Sequence, residues 1–241
     1  MPLLSVGANP KLAKSDALGK YLTAGHSMAP HKSVWGHNAC LGASPGCIRD
    51  CIFKSGMGRM PPVEFARREK SRAYWADIPK YELVVSSDLT SLERRAKKNK
   101  RKLAARLNVY SDVDWSRVIL KHPSVQFYDY TKVEERILAY SRGELPKNYY
   151  LILSRSELNE DLCKLALRKG WCNAAMVFRV EKGKPLPKTW WGYRVIDGDT
   201  HDLRFTDPKG VIVGLRPKGS RAKISSNKTG FIVDVPQGEV K

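Results

Sequence analysis

The sequence predicts an α/β fold, a partial (β/α) barrel of about six to eight mostly parallel strands with a cysteine-rich loop near its N-terminus. Two observations predict it. Short runs rich in β-branched and aromatic residues alternate with segments of helical periodicity, and polar residues directly follow most of these runs. Such alternation is typical of a parallel sheet, because each helical crossover returns the chain to the same edge. A chain of 241 residues is short for a complete eight-unit barrel, so a partial barrel fits better.

The first elements follow from local signals. A strand is predicted at residues 20–24, ahead of the cysteine-rich loop. Pro61 and Pro62 then precede residues 63–78, in which apolar side chains recur near helical spacing with charged residues between them. Proline suits the first turn of a helix because its φ is already helical. We therefore predict a helix over residues 63–78.

The alternation continues to the end of the core. Three further helices are predicted, and Ser156 and Gly170 are the expected start and stop signals of the last one. The final two strands have only loops around them and could form an antiparallel extension. The predicted strands cover residues 81–88, 106–112, 125–131, 149–156, 174–180, 193–199 and 211–217, and the helices cover residues 91–105, 132–143 and 156–170.

The chain is expected to form a single domain over residues 1–241. Within it we distinguish an N-terminal segment (1–62), a barrel-like core (63–217) and a basic C-terminal extension (218–241). The apolar runs are much shorter than a membrane span, and the first residues lack the pattern of a secretory leader. We therefore predict a cytoplasmic protein that does not enter membranes.

Polar residues at the strand ends are the candidate site. In parallel α/β folds the ligand binds at the carboxyl ends of the strands. Turns and helix caps use the same residue types, so part of the series has a purely local explanation. The candidate catalytic residues are Asp88, Asn108, Asp112, Asp129 and Ser154, with Ser86 and Ser87 beside the first of them.

Three of the five cysteines, Cys40, Cys47 and Cys51, lie in one short loop. An odd cysteine count without a secretory leader favours reduced thiols over disulfides. Three local thiolates then indicate a metal centre. A cubane [4Fe-4S] cluster accepts thiolates at variable spacing and would leave one iron for a fourth residue or a substrate. Because the loop follows the first strand, this centre would share the face of the strand-end residues.

Zinc is the alternative metal. The paired C-x2-C spacing of zinc ribbons is absent, but a Cys3His site could be completed by His26, His31 or His37, just upstream of the loop. Cys163 and Cys172 lie more than a hundred residues away. They are more typical of small core residues, although either could serve as a fourth cluster ligand.

The net charge of +19 indicates a polyanionic partner, and nucleic acid is the natural candidate. A dense basic stripe, in a segment predicted to be helical, would contact phosphates without reading sequence. A second basic group lies at Arg216, Lys218, Arg221 and Lys223. The basic stripe consists of Arg94, Arg95, Lys97, Lys98, Lys100, Arg101, Lys102 and Arg106.

An acidic cluster supports a different activity. Asp197, Asp199, His201 and Asp202, with Asp207 nearby, could hold Mg²⁺ or Mn²⁺ for phosphodiester cleavage. Asp-Gly and Asp-Pro pairs are also ordinary turn signals. A metal-dependent nuclease is therefore one of the alternatives.

Several motifs together resemble the gene product 88 family of phage and prophage proteins. They are NACLGASPGCIRDCIFKSGMGRM, RLNVYSDVDW, VQFYDYTK, LILSRSE and VIDGDTHDLRF. More distantly, a cysteine loop after a first strand followed by βα units resembles the radical S-adenosylmethionine fold. That resemblance implies a [4Fe-4S] cluster on Cys40, Cys47 and Cys51, here with C-x6-C-x3-C in place of C-x3-C-x2-C spacing. S-adenosylmethionine would bind near Ser86 and Ser87, which replace a Gly-rich turn.

The leading hypothesis is thus a phage-type iron-sulfur protein that contacts nucleic acid, with a radical S-adenosylmethionine-like modifying activity as its enzymatic form. The first alternative is a non-catalytic nucleic-acid-binding protein whose iron-sulfur or zinc site is structural or redox-sensing. The second is the metal-dependent nuclease.

Overall fold

The computed structural model of the protein describes residues 2–7, 10–219 and 228–236, and ten strands of this part form one sheet. Arg221 and Lys223 lie outside the described residues. None of the described helices has the length and apolarity needed to cross a membrane. The strands are β1 (Leu4–Val6), β2 (Tyr21–His26), β3 (Lys102–Arg106), β4 (Gln126–Thr131), β5 (Tyr149–Ser154), β6 (Ala174–Phe178), β7 (Thr189–Trp190), β8 (Tyr193–Asp197), β9 (Ile212–Leu215) and β10 (Ile232–Val233). The helices are α1 (Pro10–Ala17), α2 (Pro45–Arg49), α3 (Pro61–Ala76), α4 (Ile78–Lys98), α5 (Ser116–Leu120), α6 (Glu134–Ser141) and α7 (Glu160–Lys169).

The sheet is mostly parallel, with the order β1-β2-β3-β4-β5-β6-β9-β8-β7. β2 to β6 lie side by side in chain order, and only β1 with β2 and β7 with β8 pair antiparallel. β10 pairs with the end of β6, on the edge that β5 leaves open. The predicted mostly parallel α/β class is confirmed. Among the described strands no pairing joins β1 to β7, so closure into a barrel is not observed.

Alternation of side chains along the strands divides the core into two faces. Leu103, Phe127 and Met176 point into one large cluster with apolar residues of α3 to α7. Ala104 and Tyr128 point to the other face, where residues 198–210 cover them through Leu203 and Phe205. α1 lies on this second face, because the Ser15 hydroxyl accepts the backbone N–H of Asp202 at 2.8 Å.

Most predicted elements are confirmed within a few residues. α7 begins at Glu160, with Asn159 as its N-cap in place of the expected Ser156. Gly170 ends it in the left-handed conformation, at φ 67°. The confirmed strands are those predicted at 20–24, 125–131, 149–156, 174–180, 193–199 and 211–217, and the confirmed helices are those predicted at 63–78, 132–143 and 156–170.

The strand predicted at residues 81–88 is wrong, because this segment lies inside α4. Its valines are typical of a strand, but Tyr81, Val85 and Leu89 recur every four residues and bury one helical face. Leu83 and Val84 are left 61% and 44% exposed. The helix start is signalled by the preceding Asp77, whose carboxylate accepts the Lys80 N–H at 3.0 Å.

The strand predicted at residues 106–112 is also displaced. β3 occupies Lys102–Arg106, most of which the sequence pattern places at the end of a helix, and residues 107–113 form the loop that follows. Ala104 and Ala105 have weak strand propensity, but both are fully buried between β2 and β4. Burial in the sheet overrides local propensity here.

Ser86, Ser87 and Asp88 are therefore not at a strand end, and the prediction that they join the candidate site is wrong. They lie in the middle of α4, outside the cavity described below. The Asp88 carboxylate accepts the backbone N–H groups of Leu3 and Leu4 at 2.6 and 3.1 Å, which fixes β1 against the helix.

Replacing Asp88 tests this structural role. Asp88→Ala should lower the free energy of unfolding by about 1–3 kcal/mol, because two partly buried N–H groups lose a charged acceptor. Asp88→Asn keeps one acceptor oxygen and should lose less. Urea unfolding of both variants measures the difference. Equal stability of wild type and Asp88→Ala would contradict the anchoring role.

Candidate ligand cavity at the strand ends

A cavity of about 400 Å³ opens at the carboxyl ends of the parallel strands. Successive strands contribute to its wall: Asn108 after β3, Lys132 after β4, Ser154 at the end of β5, Val177 in β6 and Arg216 after β9. The cysteine loop and residues of the 228–236 segment complete the lining. The sequence rule that ligand sites lie at these strand ends thus locates the cavity correctly.

All three loop cysteines, Cys40, Cys47 and Cys51, line this cavity, and each is partly buried. The Cys40 Sγ accepts the His31 N–H at 3.2 Å and donates to the Tyr110 carbonyl at 3.4 Å. The pKa of the Cys40 thiol is raised to about 12, mainly by burial, with the His31 N–H acting in the opposite direction and the nearby Cys51 and Cys47 contributing to the rise. Cys51 and Cys47 therefore both lie within electrostatic reach of the Cys40 sulfur.

Backbone contacts fix the start of the cysteine loop. Cys40 forms an isolated parallel bridge with Asp112, and the Asp112 N–H donates to the Ala39 carbonyl at 2.7 Å. Gly42 lies directly on the chain after β4, since a Cβ there would be 2.5 Å from the Lys132 carbonyl carbon. Only glycine fits this approach, and the cysteine loop is thereby held against two strand ends.

Glu157 fixes the short helix α2, which carries Cys47. Its carboxylate accepts the Ser44 hydroxyl at 2.7 Å and the Gly46 N–H at 2.6 Å, and the Ser44 oxygen in turn accepts the Cys47 N–H at 3.1 Å. A Cβ on Gly46 would be 2.5 Å from the Phe231 Cβ. The loop after β5, the cysteine loop and the 228–236 segment therefore meet at one point.

The 228–236 segment is attached to the sheet beside this point. Besides the pairing of β10 with β6, the Arg155 guanidinium donates to the carbonyls of Gly230 and Phe231. Arg179 forms an ion pair with Asp234. The Lys132 Nζ lies 5.6 Å from the Phe231 ring centroid, so this ring borders the cavity next to a cation.

Asp112 lies in the cavity wall with both carboxylate oxygens engaged. One accepts the Thr131 hydroxyl and the Lys132 N–H, both at 2.9 Å, and the other pairs with Arg136. This carboxylate joins the loop after β3, the end of β4 and helix α6. Its contacts indicate a positioning role for the candidate catalytic residue.

Asn108 lies in the wall and Asp129 behind it. The Asp129 carboxylate accepts the Asn108 N–H at 2.8 Å and the Tyr149 hydroxyl at 3.1 Å. Burial raises the pKa of Asp129 to about 7, although Arg106 nearby acts in the opposite direction. Asp129 does not line the cavity, so it organises Asn108 and the loop after β3 rather than facing a ligand.

Ser154 and Lys132 form the polar pair that faces the cavity directly. The Lys132 Nζ donates to the Ser154 Oγ at 2.9 Å. No described carboxylate forms an ion pair with Lys132, so its charge is available to a ligand. Strand-end reasoning found Ser154 but missed Lys132, which directly follows β4, and Glu157, which follows β5.

The acidic cluster is neutralised by cationic side chains. Asp197 pairs with Arg216 at 2.9 Å, and Asp202 with Arg106 at 3.0 Å. Asp199 pairs with Lys218 at 3.0 Å and Asp207 with Arg204 at 3.2 Å. Within the part of the chain that the structure describes, no group of three or more His, Cys, Asp or Glu side chains is arranged to hold a metal ion. The described residues therefore contain no preformed site for the metal ion that a nuclease would need.

The candidate fourth ligands differ in their surroundings. His26 is fully buried and bonded to the Tyr81 hydroxyl at 2.8 Å, and burial lowers its pKa to about 3. His37 stacks on Trp75, whereas His31 lines the cavity beside Cys40. The remaining cysteines are buried, and neither lines the cavity.

The basic stripe lies at the other end of the sheet. Its members from Arg94 to Lys102 surround the end of α4 and the start of β3, and all but Arg101 are exposed. Arg101 is half-buried and pairs with Asp16 at 3.2 Å. Arg106 does not belong to this surface, because it lies partly buried at the carboxyl end of β3, paired with Asp202. The length of the strand separates it from Lys102 by about 13 Å.

Fold and cavity together define an α/β protein with a mostly parallel sheet and a cysteine-lined candidate site at the strand ends. A family model described as Gene product 88 matches residues 2–235. The chain belongs to the gene product 88 family, which confirms that resemblance. The comparisons with curated proteins and with solved structures gave no match. The distant radical S-adenosylmethionine resemblance stays a prediction.

Glu157→Ala tests how the cysteine loop is held. The variant leaves the Gly46 N–H and the Ser44 hydroxyl without their charged acceptor, so the free energy of unfolding should fall by about 1–3 kcal/mol. Alkylation of Cys47 in the native protein should become faster. Glu135→Ala, an exposed glutamate in α6, is the matched control. Identical alkylation rates in the two variants would contradict the proposed role of Glu157 in holding the cysteine loop.

Proposed function

We propose that this protein is an iron-sulfur protein in which Cys40, Cys47 and Cys51 hold a [4Fe-4S] cluster at the mouth of the strand-end cavity. One observation carries the proposal: all three cysteines of a single loop line one cavity, with a polar pair and cationic side chains across it. Cys163 and Cys172, in contrast, are buried in the core, and neither lines the cavity.

A cluster requires less convergence of the three thiols than a single zinc ion does. Tetrahedral zinc with Zn–S bonds of about 2.3 Å draws its sulfurs to within about 3.8 Å of one another. The described residues include no donor group arranged in that way. A cubane binds each thiolate to a different iron, which keeps the sulfurs farther apart. The raised pKa of Cys40 means that binding must release its proton, so assembly is favoured at higher pH.

The surroundings of the cysteines suit an open iron. Of the candidate fourth ligands, only His31 lies at the cavity, and the others are bonded elsewhere or buried in the core. With S-adenosylmethionine bound, such a cluster supplies one-electron radical chemistry. The cysteine loop follows β2, the first parallel strand, and β2 to β6 lie in consecutive order; this succession of a cysteine loop and βα units is the feature on which the radical S-adenosylmethionine resemblance rests.

The protein's own residues would then hold and orient a small anionic or zwitterionic ligand. Lys132 and Ser154 face the cavity as a cation and a hydroxyl. Arg216 and Lys218 border it on the β9 side, where Asp197 and Asp199 fix their positions. Glu157 and Asp112 keep the cysteine loop in place, and the ring of Phe231 forms an apolar part of the wall beside Lys132.

Anaerobic purification with iron, sulfide and zinc analysis tests the cluster. We expect about four irons per chain in the wild type. Single replacements of Cys40, Cys47 or Cys51 by Ala should remove most of the iron and sulfide. Cys163→Ala is the matched control, because it makes the same change in the core and should keep both. Stoichiometric zinc, or equal iron in all four variants, would overturn the proposal.

Electron paramagnetic resonance of the reduced protein distinguishes a radical enzyme from a protein whose cluster is structural or redox-sensing. A spectrum that shifts on adding S-adenosylmethionine indicates an open iron and supports the radical enzyme. An unshifted spectrum at full iron content indicates a fully ligated cluster, as in a structural or redox-sensing site.

Nucleic-acid contact is the second proposed function, favoured by the exposed basic stripe. Arg94, Lys97, Lys98 and Lys100 are exposed, and none of them pairs with a described acid. Their position at a helix C-terminus contributes to stability, but typically only within the last turn. Four unneutralised cations within two turns also form a phosphate-binding surface.

Changing these four residues to Gln tests the contact. Binding of a duplex DNA should weaken, and the slope of log affinity against log salt should flatten by about 0.9 for each phosphate that the variant no longer neutralises. Fluorescence anisotropy across a salt series measures both. The control changes Lys80, Lys182, Lys184 and Lys188 to Gln, which removes the same charge from exposed positions elsewhere. Matching slopes in the two variants would show that the stripe is only a solvated face.

A further inference from the structure

The amino edge of the sheet carries exposed lysines well beyond the basic stripe. Each of the six neighbouring parallel strands β2, β3, β4, β5, β6 and β9 is preceded by at least one of them. None of these side chains forms an ion pair with a described acid. We call this set the edge lysines; its members are Lys20, Lys100, Lys121, Lys147, Lys169 and Lys209.

The acids of the same loops are already engaged. Asp16 pairs with Arg101 at 3.2 Å, and Asp207 with Arg204 at 3.2 Å. Glu144 pairs with Arg142, and Glu93 lies 3.6 Å from a nitrogen of His122. The edge lysines therefore have no local counter-charge, whereas at the opposite edge the cavity carboxylates and cations largely neutralise one another.

Helix capping explains only part of the arrangement. Lys169 lies in the last turn of α7, Lys121 is the C-cap of α5, and Lys100 directly follows the C-cap of α4, where a cation interacts favourably with the helix dipole. Lys147 comes six residues after the end of α6, and Lys209 follows only a single 3₁₀ turn. A repeated cation at the start of each strand thus points to a surface rather than to individual helix ends.

The geometry fits a polyanion. Six strands about 4.8 Å apart place the edge lysines along roughly 24 Å, and the basic stripe adjoins them at the start of β3. This length is about two thirds of one turn of B-DNA. Of the exposed large apolar side chains in the described residues, only Leu18 and Leu120 lie in these loops. A membrane-binding surface would instead present a continuous apolar face.

We infer that the phosphate backbone of nucleic acid docks along the whole amino edge of the sheet, over the edge lysines and the basic stripe together. The inference rests on the nucleic-acid contact proposed above and extends it in one respect. The docked backbone lies a full strand length away from the cysteine-lined cavity. The nucleic acid is then a scaffold on which the protein sits, and the cavity acts on a different, small ligand.

The test uses a second charge-removing variant that leaves the stripe intact. Lys121, Lys147, Lys169 and Lys209 are changed together to Gln in the full chain, and duplex DNA binding is followed by anisotropy across a salt series. We expect the salt slope to flatten by about 2–4 and the affinity to fall, since each neutralised phosphate contributes about 0.9 to the slope. The control set at Lys80, Lys182, Lys184 and Lys188 should leave the slope near the wild-type value.

The outcomes separate this inference from the proposed function. A flattened slope in both the stripe and the edge variants supports docking along the whole edge. A change in the stripe variant alone overturns the wider surface but keeps nucleic-acid contact. No change in either variant overturns both. If the edge variant loses binding to phosphatidylserine vesicles while DNA binding is unaltered, the occupant is an anionic membrane and the inference is wrong.

Photo-crosslinking tests the orientation directly. A photoreactive amino acid replacing Lys147 should crosslink to bound DNA. The same residue at Lys32, an exposed position in the cavity lining, should not. Equal crosslinking at both positions would show that the nucleic acid reaches the cavity, and the scaffold role would be overturned.

Discussion

The carboxylate of Asp112 is the interaction on which the cavity depends. It is largely buried, and its partners come from three separate elements: Thr131 at the end of β4, Lys132 just after it, and Arg136 in α6. Its own backbone joins Ala39 and Cys40 of the cysteine loop. Removing such a carboxylate would leave the Arg136 charge unpaired in a buried site, which typically costs several kcal/mol. The position of the first cysteine and the position of Lys132 are therefore set by the same group.

The two edges of the parallel sheet differ in how their charged side chains are paired. At the carboxyl edge, the dense charges are paired with each other: Arg106 with Asp202 and Arg216 with Asp197. Such pairing holds side chains in place without creating a strong net field. At the amino edge, the edge lysines form no ion pairs with described acids. Among the described residues, the unpaired edge lysines are thus separated from the cavity by the length of the strands.

The sequence predicted the class of the fold and placed several polar residues at the strand-end cavity, but it did not predict the elements that depend on burial. Cys40, Cys47 and Cys51 could be grouped because they are close in the chain, and strand-end reasoning correctly brought Asn108, Asp112 and Ser154 to the same cavity. It failed for Asp88 because valines with β propensity hid a helical spacing. It also failed for Arg106, which continues a basic run in the chain. That run crosses the sheet along β3, so its last member emerges at the opposite edge.

The contacts of Glu157 and Phe231 could not be predicted for a different reason. Gly46, Glu157 and Phe231 lie far apart in the chain, and no local pattern links them. The pairing of β10 with β6 and the hydrogen bonds from Arg155 to the Gly230 and Phe231 carbonyls bring the third to the other two. Glycine at position 46 is the sequence signal of this contact. A residue without a Cβ indicates that another part of the chain comes close, but it does not identify the partner.

The two edges are nevertheless connected through α4. This helix of 21 residues, about 30 Å long, ends in the basic stripe, and near its start Tyr81 donates to the neutral ring of His26 at 2.8 Å. The other ring nitrogen of His26 bonds the Leu107 carbonyl at 3.2 Å, next to Asn108 in the cavity wall. A shift of α4 on nucleic-acid binding would reach the cavity by this route, through rigid groups. Energetic coupling between the two edges would require the Tyr81–His26 contact to adopt two alternative arrangements. A contact with a single rigid arrangement transmits no coupling energy.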